Sequence, residues 1–267
     1  TSTATFSSAQ FGAGRILDTA TITGNAQINA LAFNVVAGGS LDLSKFTYAT
    51  WTSGTDTLTA TGSTGSETIT GSANNETYVV SSTSQVSVGD KYDGGGGTDT
   101  LQIGTAAAGT AIDLSAAATD GVSGFLSIEK ITFVNTSGTS TATFSSAQFG
   151  AGLISTSLAV TGTAFTTAIV VNAQSGATFD MSAWTFTTWT AGTDTITLVG
   201  STGTESITGS SQNDVFAVDA GQIQSGDVYD GGGGTDTILI GPVSGGTSVD
   251  LSAASFLNTE AITFANT

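Results

Sequence analysis

Residues 62–79 read GSTGSETIT-GSANNETYV, two nonapeptides head to tail, and residues 94–102 read GGGGTDTLQ. Each opens with six residues rich in Gly, Ser and Asn, the turn formers. An acid stands sixth, and a short run of Thr and large apolar residues closes the unit. This pattern alternates a tight turn with a short strand. Working outward, short β-favouring segments recur every 9–11 residues through the first half of the chain: 21–23, 33–35, 41–43, 57–59, 68–70, 78–80, 101–103, 112–114 and 131–133. No stretch carries a helical period, so the chain is predicted to be all-β. Regular short strands suit a β-sandwich or a parallel β-solenoid in which each strand stacks on its equivalent one coil later. The abundance of small residues and of Gly at repeated turn positions favours the solenoid, with two strands per coil, coils of about 18–23 residues and a narrow interior. Residues 1–60 fit the nine-residue rhythm least well.

The chain is also duplicated. STATFSSAQFGAG stands at 2–14 and again at 140–152, and Trp51-TSGTDTLT matches Trp189-TAGTDTIT. The nonapeptides return as GSTGTESIT and GSSQNDVFA at 200–217 and GGGGTDTIL at 231–239. The tails SIEKITFVNT (127–136) and NTEAITFANT (258–267) match as well. Two homologous units, 1–138 and 139–267, are expected, and the first running directly into the second suggests a slice of a longer tandem array. Nine acids of the first unit have acidic counterparts in the second, among them Asp56/Asp194, Asp90/Asp227, Asp93/Asp230, Asp99/Asp236 and Glu129/Glu260. The four bases, Arg15, Lys45, Lys91 and Lys130, have none; Leu153, Ala183, Val228 and Ala261 stand in their places. The acids are held in position and the bases are not.

Composition narrows the chemistry. There is no Cys and no His, and 21 acids against 4 bases give a net charge of −17. Thiolate or imidazole metal sites are excluded, as are Ser–His and Cys–His nucleophilic sites. Four bases cannot make a nucleic-acid footprint. No apolar run reaches the length of a membrane span, so no membrane insertion is expected. A paired-carboxylate glycosidase is not excluded by composition, but acids set in Gly turns point to metal binding, and no enzyme activity is expected.

The six nonapeptides approximate G-G-x-G-x-D-x-U-x, with U a large apolar residue, and so resemble the RTX, or haemolysin-type, calcium-binding repeat family. GGGGTDT at 94–100 and 231–237 fits in full; the others replace Gly by Ser or Asn and, in three cases, Asp by Glu. The resemblance covers about 27 residues of each unit directly. It implies a β-roll in which stacked Gly turns and acidic side chains build an all-oxygen cage suited to Ca²⁺, which takes 6–8 oxygens; Mg²⁺ is second choice. By this resemblance the best ligands are Asp99 and Asp236, with carbonyls of Gly95, Gly97, Gly232 and Gly234. Asp93 and Asp230 could cap the same cage. Glu67, Glu76, Glu205 and Asp214 occupy position six of the weaker motifs, Asn74, Asn75 and Asn213 could add oxygens, and Asp90 and Asp227 complete the set. One or two sites per unit are expected.

Other features have plainer readings. Asp56/Asp194 and Asp42/Asp180 read as turn caps or exposed strand acids, and Asp113 and Asp250 as outward-facing. Trp51, Trp184 and Trp189 read as core or end packing. The expected function is a calcium-stabilised structural repeat of a large extracellular bacterial surface protein (adhesin, S-layer or filament subunit), self-associating head to tail or as an array. The resemblance also implies type I secretion. The alternative is an accessory calcium-binding module of a secreted RTX-type enzyme such as a lyase, epimerase or protease.

Overall fold

In the computed structural model, which describes residues 1–119, 121–241 and 248–265, every strand pair is parallel. The chain winds as a β-solenoid of about nine turns. Eight strands form one long sheet, from Ser2–Ser7 to Thr185–Thr187; seven form another, from Ala111–Asp113 to Ala261–Phe264. Two four-stranded sheets and a two-stranded one make the remaining walls. Helix is confined, among the described residues, to single 3-10 turns; Ser8–Gln10 and Ser146–Gln148 are each closed by a capping box, and Leu43–Lys45 by the Asp42 side chain alone. No helix among them is long and apolar enough to cross a membrane.

Alternation fixes the register. In the strand Thr57–Thr61 the side chains of Leu58 and Ala60 face inward and the threonines outward. Pairing carries the inward positions from coil to coil: Phe33 beside Ala60, Ala60 beside Tyr78, Tyr78 beside Leu101, Leu101 beside Ile131. A one-residue slip in any pair would turn that apolar set to solvent. The short wall repeats the device with Leu41, Ile69, Tyr92 and Phe125.

The interior is wider than the small-residue composition predicts. Phe33, Tyr78, Tyr92, Phe125, Phe133, Phe144, Phe216 and Tyr229 are fully buried, with rings in contact, Tyr92 on Phe125 at 5.5 Å and Tyr229 on Phe256 at 5.2 Å. The small residues lie in turns and on the outer face. Coil length also departs from the expectation. Leu58 stands beside Glu76, 18 residues on, and Thr77 beside Thr100, 23 on, but Ala30 pairs with Thr57 and Thr100 with Lys130, 27 and 30 residues on. The nonapeptide coils have two walls. The longer coils insert a third strand, such as Thr47–Ala49 or Ala111–Asp113, and this is why residues 1–60 break the nine-residue rhythm. Trp184 is buried against Phe149 and Phe179, while Trp51 and Trp189 pack partly buried against Tyr48 and Phe186.

The two units form one continuous ladder. Ile128–Phe133 of the first pairs with Ile154–Thr161 of the second, and Ala111–Asp113 pairs with Ser140–Ser145. The second unit's counterparts of the eight-stranded sheet lie in the seven-stranded one: Ser2–Ser7 belongs to the former and the identical STATFS at Ser140–Ser145 to the latter. One sequence thus occupies a covered and an uncovered environment. Phe144 is 0% exposed and Phe6 half-buried. Phe144→Ala is expected to cost about 3–5 kcal/mol, and Phe6→Ala less than half as much. Urea unfolding of the two variants compares them.

Candidate metal centre

The nonapeptide turns stack in pairs. Turn 71–76 leads into the strand Glu76–Val80 and turn 94–99 into Thr100–Ile103, with Gly96 N–H donating to the Ser72 carbonyl at 2.8 Å and Gly71 N–H to the Asp93 carbonyl at 2.6 Å. Turns 209–214 and 231–236 repeat the arrangement, with Gly233 N–H on the Ser210 carbonyl at 2.9 Å. Backbone approaches so closely that a Cβ on Gly71 would overlap the Gly94 carbonyl oxygen, and one on Gly94 the Ser127 carbonyl oxygen. Gly95 and Gly97, at φ 80° and 117°, take the left-handed conformation; Gly232 and Gly234 repeat it at 84° and 122°.

At position six the acids turn inward. Glu67, Glu76, Asp99, Glu205, Asp214 and Asp236 are each no more than 1% exposed. They form rungs between coils, because each amide at this position donates to the acid one coil later. Glu76 N–H donates to Asp99 Oδ1 at 2.7 Å and Asp99 N–H to Glu129 Oε2 at 2.8 Å. Asp214 N–H donates to Asp236 Oδ1 at 2.7 Å and Asp236 N–H to Glu260 Oε2 at 2.7 Å. At the opposite corner Glu67 N–H donates to Asp90 Oδ1 and Glu205 N–H to Asp227 Oδ1, both at 2.9 Å. Where the carboxylate is ionised these bonds are charge-assisted. Glu76 also accepts from the backbone and hydroxyl of Ser72, and Asp214 from those of Ser210.

The remaining sequence-predicted residues lie nearby in different roles. Asp93 Oδ1 accepts from Gly95 N–H while its other oxygen pairs with Lys91 at 3.0 Å; Asp230 Oδ1 accepts from Gly232 N–H and from Asn258. Asn75 Oδ1 accepts from Thr98 N–H and Asn213 Oδ1 from Thr235 N–H, clamping one turn to the next. Asn74 donates its side-chain amide to Ser72 Oγ. Sequence reasoning left Glu129 and Glu260 out of the site, although both are retained acids; they are the outer rungs. Ser72 and Ser210 were missed because a Ser in a Ser-rich chain carries no signal.

Asp56 and Asp194 are rungs outside the nonapeptides. Asp194 is buried, with Oδ1 accepting from Thr167 N–H and Oδ2 from Thr190 N–H, both at 2.6 Å. Asp56 binds Asn29 and Thr52 in the same way, and these bonds, that of Thr52 first, hold its carboxyl below the usual range. Asp42, Asp113 and Asp180 cap short turns instead. Both oxygens of Asp194 being used, Asp194→Ala is expected to cost about 2–5 kcal/mol, by the same amount with calcium and with chelator in denaturant titrations.

Of the nonapeptide acids, Glu67 and Asp214 are less well satisfied, whereas both oxygens of Glu76 accept from Ser72. Burial, ahead of every other influence, pushes Asp214 up to about 7 and Asp236 up to about 6. It raises Glu76, Asp99, Asp90 and Glu205 as well, and like charge adds to the rise at Asp99 from Glu76 and Glu129. The ion pairs of Lys45 and Lys91 go to Asp18, Asp42 and Asp93, not to these buried groups. Two buried carboxylate oxygens among the described residues, Glu67 Oε2 and Asp214 Oδ1, have no hydrogen-bond partner. Among the described residues no three Asp or Glu side chains converge as a metal cluster; the carboxylates come in pairs, so a cation here would need main-chain carbonyls to complete its shell. The donors these acids offer, including the two orphaned oxygens, are all oxygen, the kind preferred by hard divalent cations rather than softer metals. No protein-family model, no curated protein and no solved structure matches this chain.

Proposed function

We propose that the chain is a non-catalytic, calcium-stabilised structural repeat of an extracellular bacterial surface protein. The observation that carries this reading is the set of buried position-six acids whose charge no base neutralises, with Glu67 Oε2 and Asp214 Oδ1 left without partners. A buried unpartnered carboxylate is costly, yet these positions are acidic in both units. A divalent cation would turn that cost into binding energy, and binding energy realised only in the folded state is folding energy. Asp214 with Asp236 would hold it through the free Asp214 oxygen, and Glu76 with Asp99 at the matching place in the first unit by exchanging the Ser72 donors for the cation, with main-chain carbonyls completing the shell. When bound, the cation supplies positive charge and nothing reactive.

At −17 the metal-free chain repels itself, and scarce intracellular calcium would leave the turns loose. Millimolar calcium outside the cell would close them. This fits export of an unfolded chain followed by folding at the surface. Isothermal titration of the chelated chain with Ca²⁺ tests the proposal. Saturable binding that falls in D99N and again in the D99N/D236N double variant is expected; heats equal to buffer, or unchanged by both substitutions, refute it.

A further inference from the structure

The two units differ at one position-six acid and agree around it. Glu76 of the first unit is Asp214 in the second, while Ser72 and Ser210, and Asp99 and Asp236, match. The chain thus carries a Glu-to-Asp comparison inside one fold. The extra methylene of Glu76 takes its oxygens to separate donors: Oε2 accepts from Ser72 N–H at 3.1 Å and Oε1 from the Ser72 hydroxyl. Asp214 is shorter, and both donors of Ser210 converge on Oδ2, at 2.7 and 3.0 Å. Its Oδ1 has no partner, although the residue is 0% exposed.

At the opposite corner the units exchange roles. Glu67 of the first unit is buried; its Oε1 accepts from the Ser63 hydroxyl at 2.6 Å and from Gly38 N–H at 3.3 Å, and its Oε2 has no partner. In the second unit Glu205 Oε1 accepts from Ser201 N–H at 2.6 Å and Oε2 from the Tyr229 hydroxyl at 3.4 Å. The matching Tyr92 hydroxyl donates instead to the Gln85 carbonyl at 3.1 Å. Among the described residues each unit therefore has one orphaned carboxylate oxygen, and the two lie at different corners. Glu67 precedes the short-wall strand Thr68–Thr70, and Asp214 opens the long-wall strand Asp214–Val218. Each stands one coil from a second buried acid: Asp90 accepts from Glu67 N–H at 2.9 Å and Asp236 from Asp214 N–H at 2.7 Å.

We propose that the orphaned oxygens set the order in which the chain fills with calcium. One ion enters each unit first, at Glu67 and Asp90 in the first and at Asp214 and Asp236 in the second, so homologous units load at non-homologous corners. There the cation gains an anionic oxygen without displacing a donor. At Glu76 and Asp99 it must displace both Ser72 donors. Hydrogen bonds to a charged group are strong enough that this site is expected to bind about tenfold more weakly, or weaker still. Glu205 and Asp227 fall between these extremes, because the Tyr229 bond that competes there is long. The length of the position-six acid is then what selects a tight or a weak site. This inference rests on the calcium reading above and goes beyond it by ranking the sites.

The test is calorimetric titration of the chelated full-length chain with Ca²⁺ for wild type, E76D, D214E and E67Q. E76D and D214E each place the residue of one unit in the other, so each suits a coil the chain already builds; circular dichroism in calcium verifies that the variants are folded. Wild type is expected to show a tight phase and a second phase about tenfold or more weaker. E76D should move one ion from the weak phase to the tight one, and D214E should move one the other way. E67Q should remove one ion from the tight phase and leave the weak phase as it was. Wild-type ions that all bind alike, an isotherm unchanged in E76D, or a tight phase undiminished in D214E or E67Q overturns the ranking. Any of those results with saturable binding intact leaves the calcium reading standing. Heats equal to buffer in the wild type refute that reading and this inference with it, so the two failures are distinguishable.

Discussion

Gly94→Ala is expected to destabilise the chain by about 3 kcal/mol or more, while Gly96→Ala, two residues along the same turn, changes it by no more than about 0.5 kcal/mol. A Cβ on Gly94 would overlap the Ser127 backbone carbonyl oxygen and the Asp99 side chain, and Asp99 cannot withdraw without breaking its coil-to-coil bond from Glu76 N–H. A Cβ on Gly96 would meet its nearest atom, the Ala73 Cα, at 3.8 Å, an ordinary contact. Neither position has a left-handed φ, so the difference is purely one of space. Gly231→Ala against Gly233→Ala repeats the pair in the second unit, where the Asn258 carbonyl and the Asp236 carboxylate take the same places. Urea midpoints of the four variants report it. Equal midpoints for Gly94→Ala and Gly96→Ala would mean the turns are not stacked as closely as described.

The metal-free chain is expected to lose stability as the pH rises from about 4 to 8. In the folded state burial raises Asp214 to about 7 and Asp236 to about 6, and raises Asp99 also. The groups facing them are acids: Asp236 beside Asp214, Glu260 and Asp230 beside Asp236, Glu76 and Glu129 beside Asp99. The unfolded chain therefore releases its protons first. Between the ordinary carboxylate range and the raised folded values it binds fewer protons than the native state, and stability falls with pH. A tenfold difference in proton affinity between the folded and unfolded chain is worth about 1.4 kcal/mol, so a drop of roughly 5–10 °C in Tm is expected across this range for a chain of this size. Calcium binds the ionised form, so it should flatten the slope and stabilise most at high pH. Asp214→Asn removes one titrating group and should flatten the metal-free slope while weakening the response to calcium. A metal-free Tm that climbs from pH 4 to 8 would show that the buried acids are better satisfied than their surroundings imply.

The fold was largely legible because its signals are local. Turn formers followed by alternating Thr and apolar residues specify a turn and a strand with an inward face, and Gly at repeated corners specifies stacking. The coil length was legible only where the nonapeptides run. The inserted strand Thr47–Ala49 and the short-wall strand Gly124–Leu126 are too short and too irregularly spaced to stand out, and although residues 112–114 read as a β segment, their place as an added wall was not legible. The interior was misjudged from average composition: Gly, Ser and Thr lie in the turns and on the outer face, leaving room for Phe and Tyr inside. At the site, duplication picked out the acids that form the buried rungs, Asp99 and Asp236 among them, together with retained turn caps such as Asp42 and Asp180. It did not separate Asp194, whose two oxygens are both used by amides, from Asp214, with one oxygen orphaned. That distinction depends on which backbone groups arrive from the neighbouring coil, a long-range fact that no single motif encodes.

Calcium dependence of the fold is read most directly by thermal unfolding of the unmodified chain, followed by circular dichroism at pH 8 in excess EGTA and then in millimolar Ca²⁺, with Mg²⁺ at the same concentration as control. The metal-free form is expected to be poorly folded or to melt far lower. Ca²⁺ should restore a cooperative β-rich transition, Mg²⁺ should do much less, and renewed chelation should reverse the gain. Superimposable melting curves in all three solutions would show that calcium does not hold the coils together.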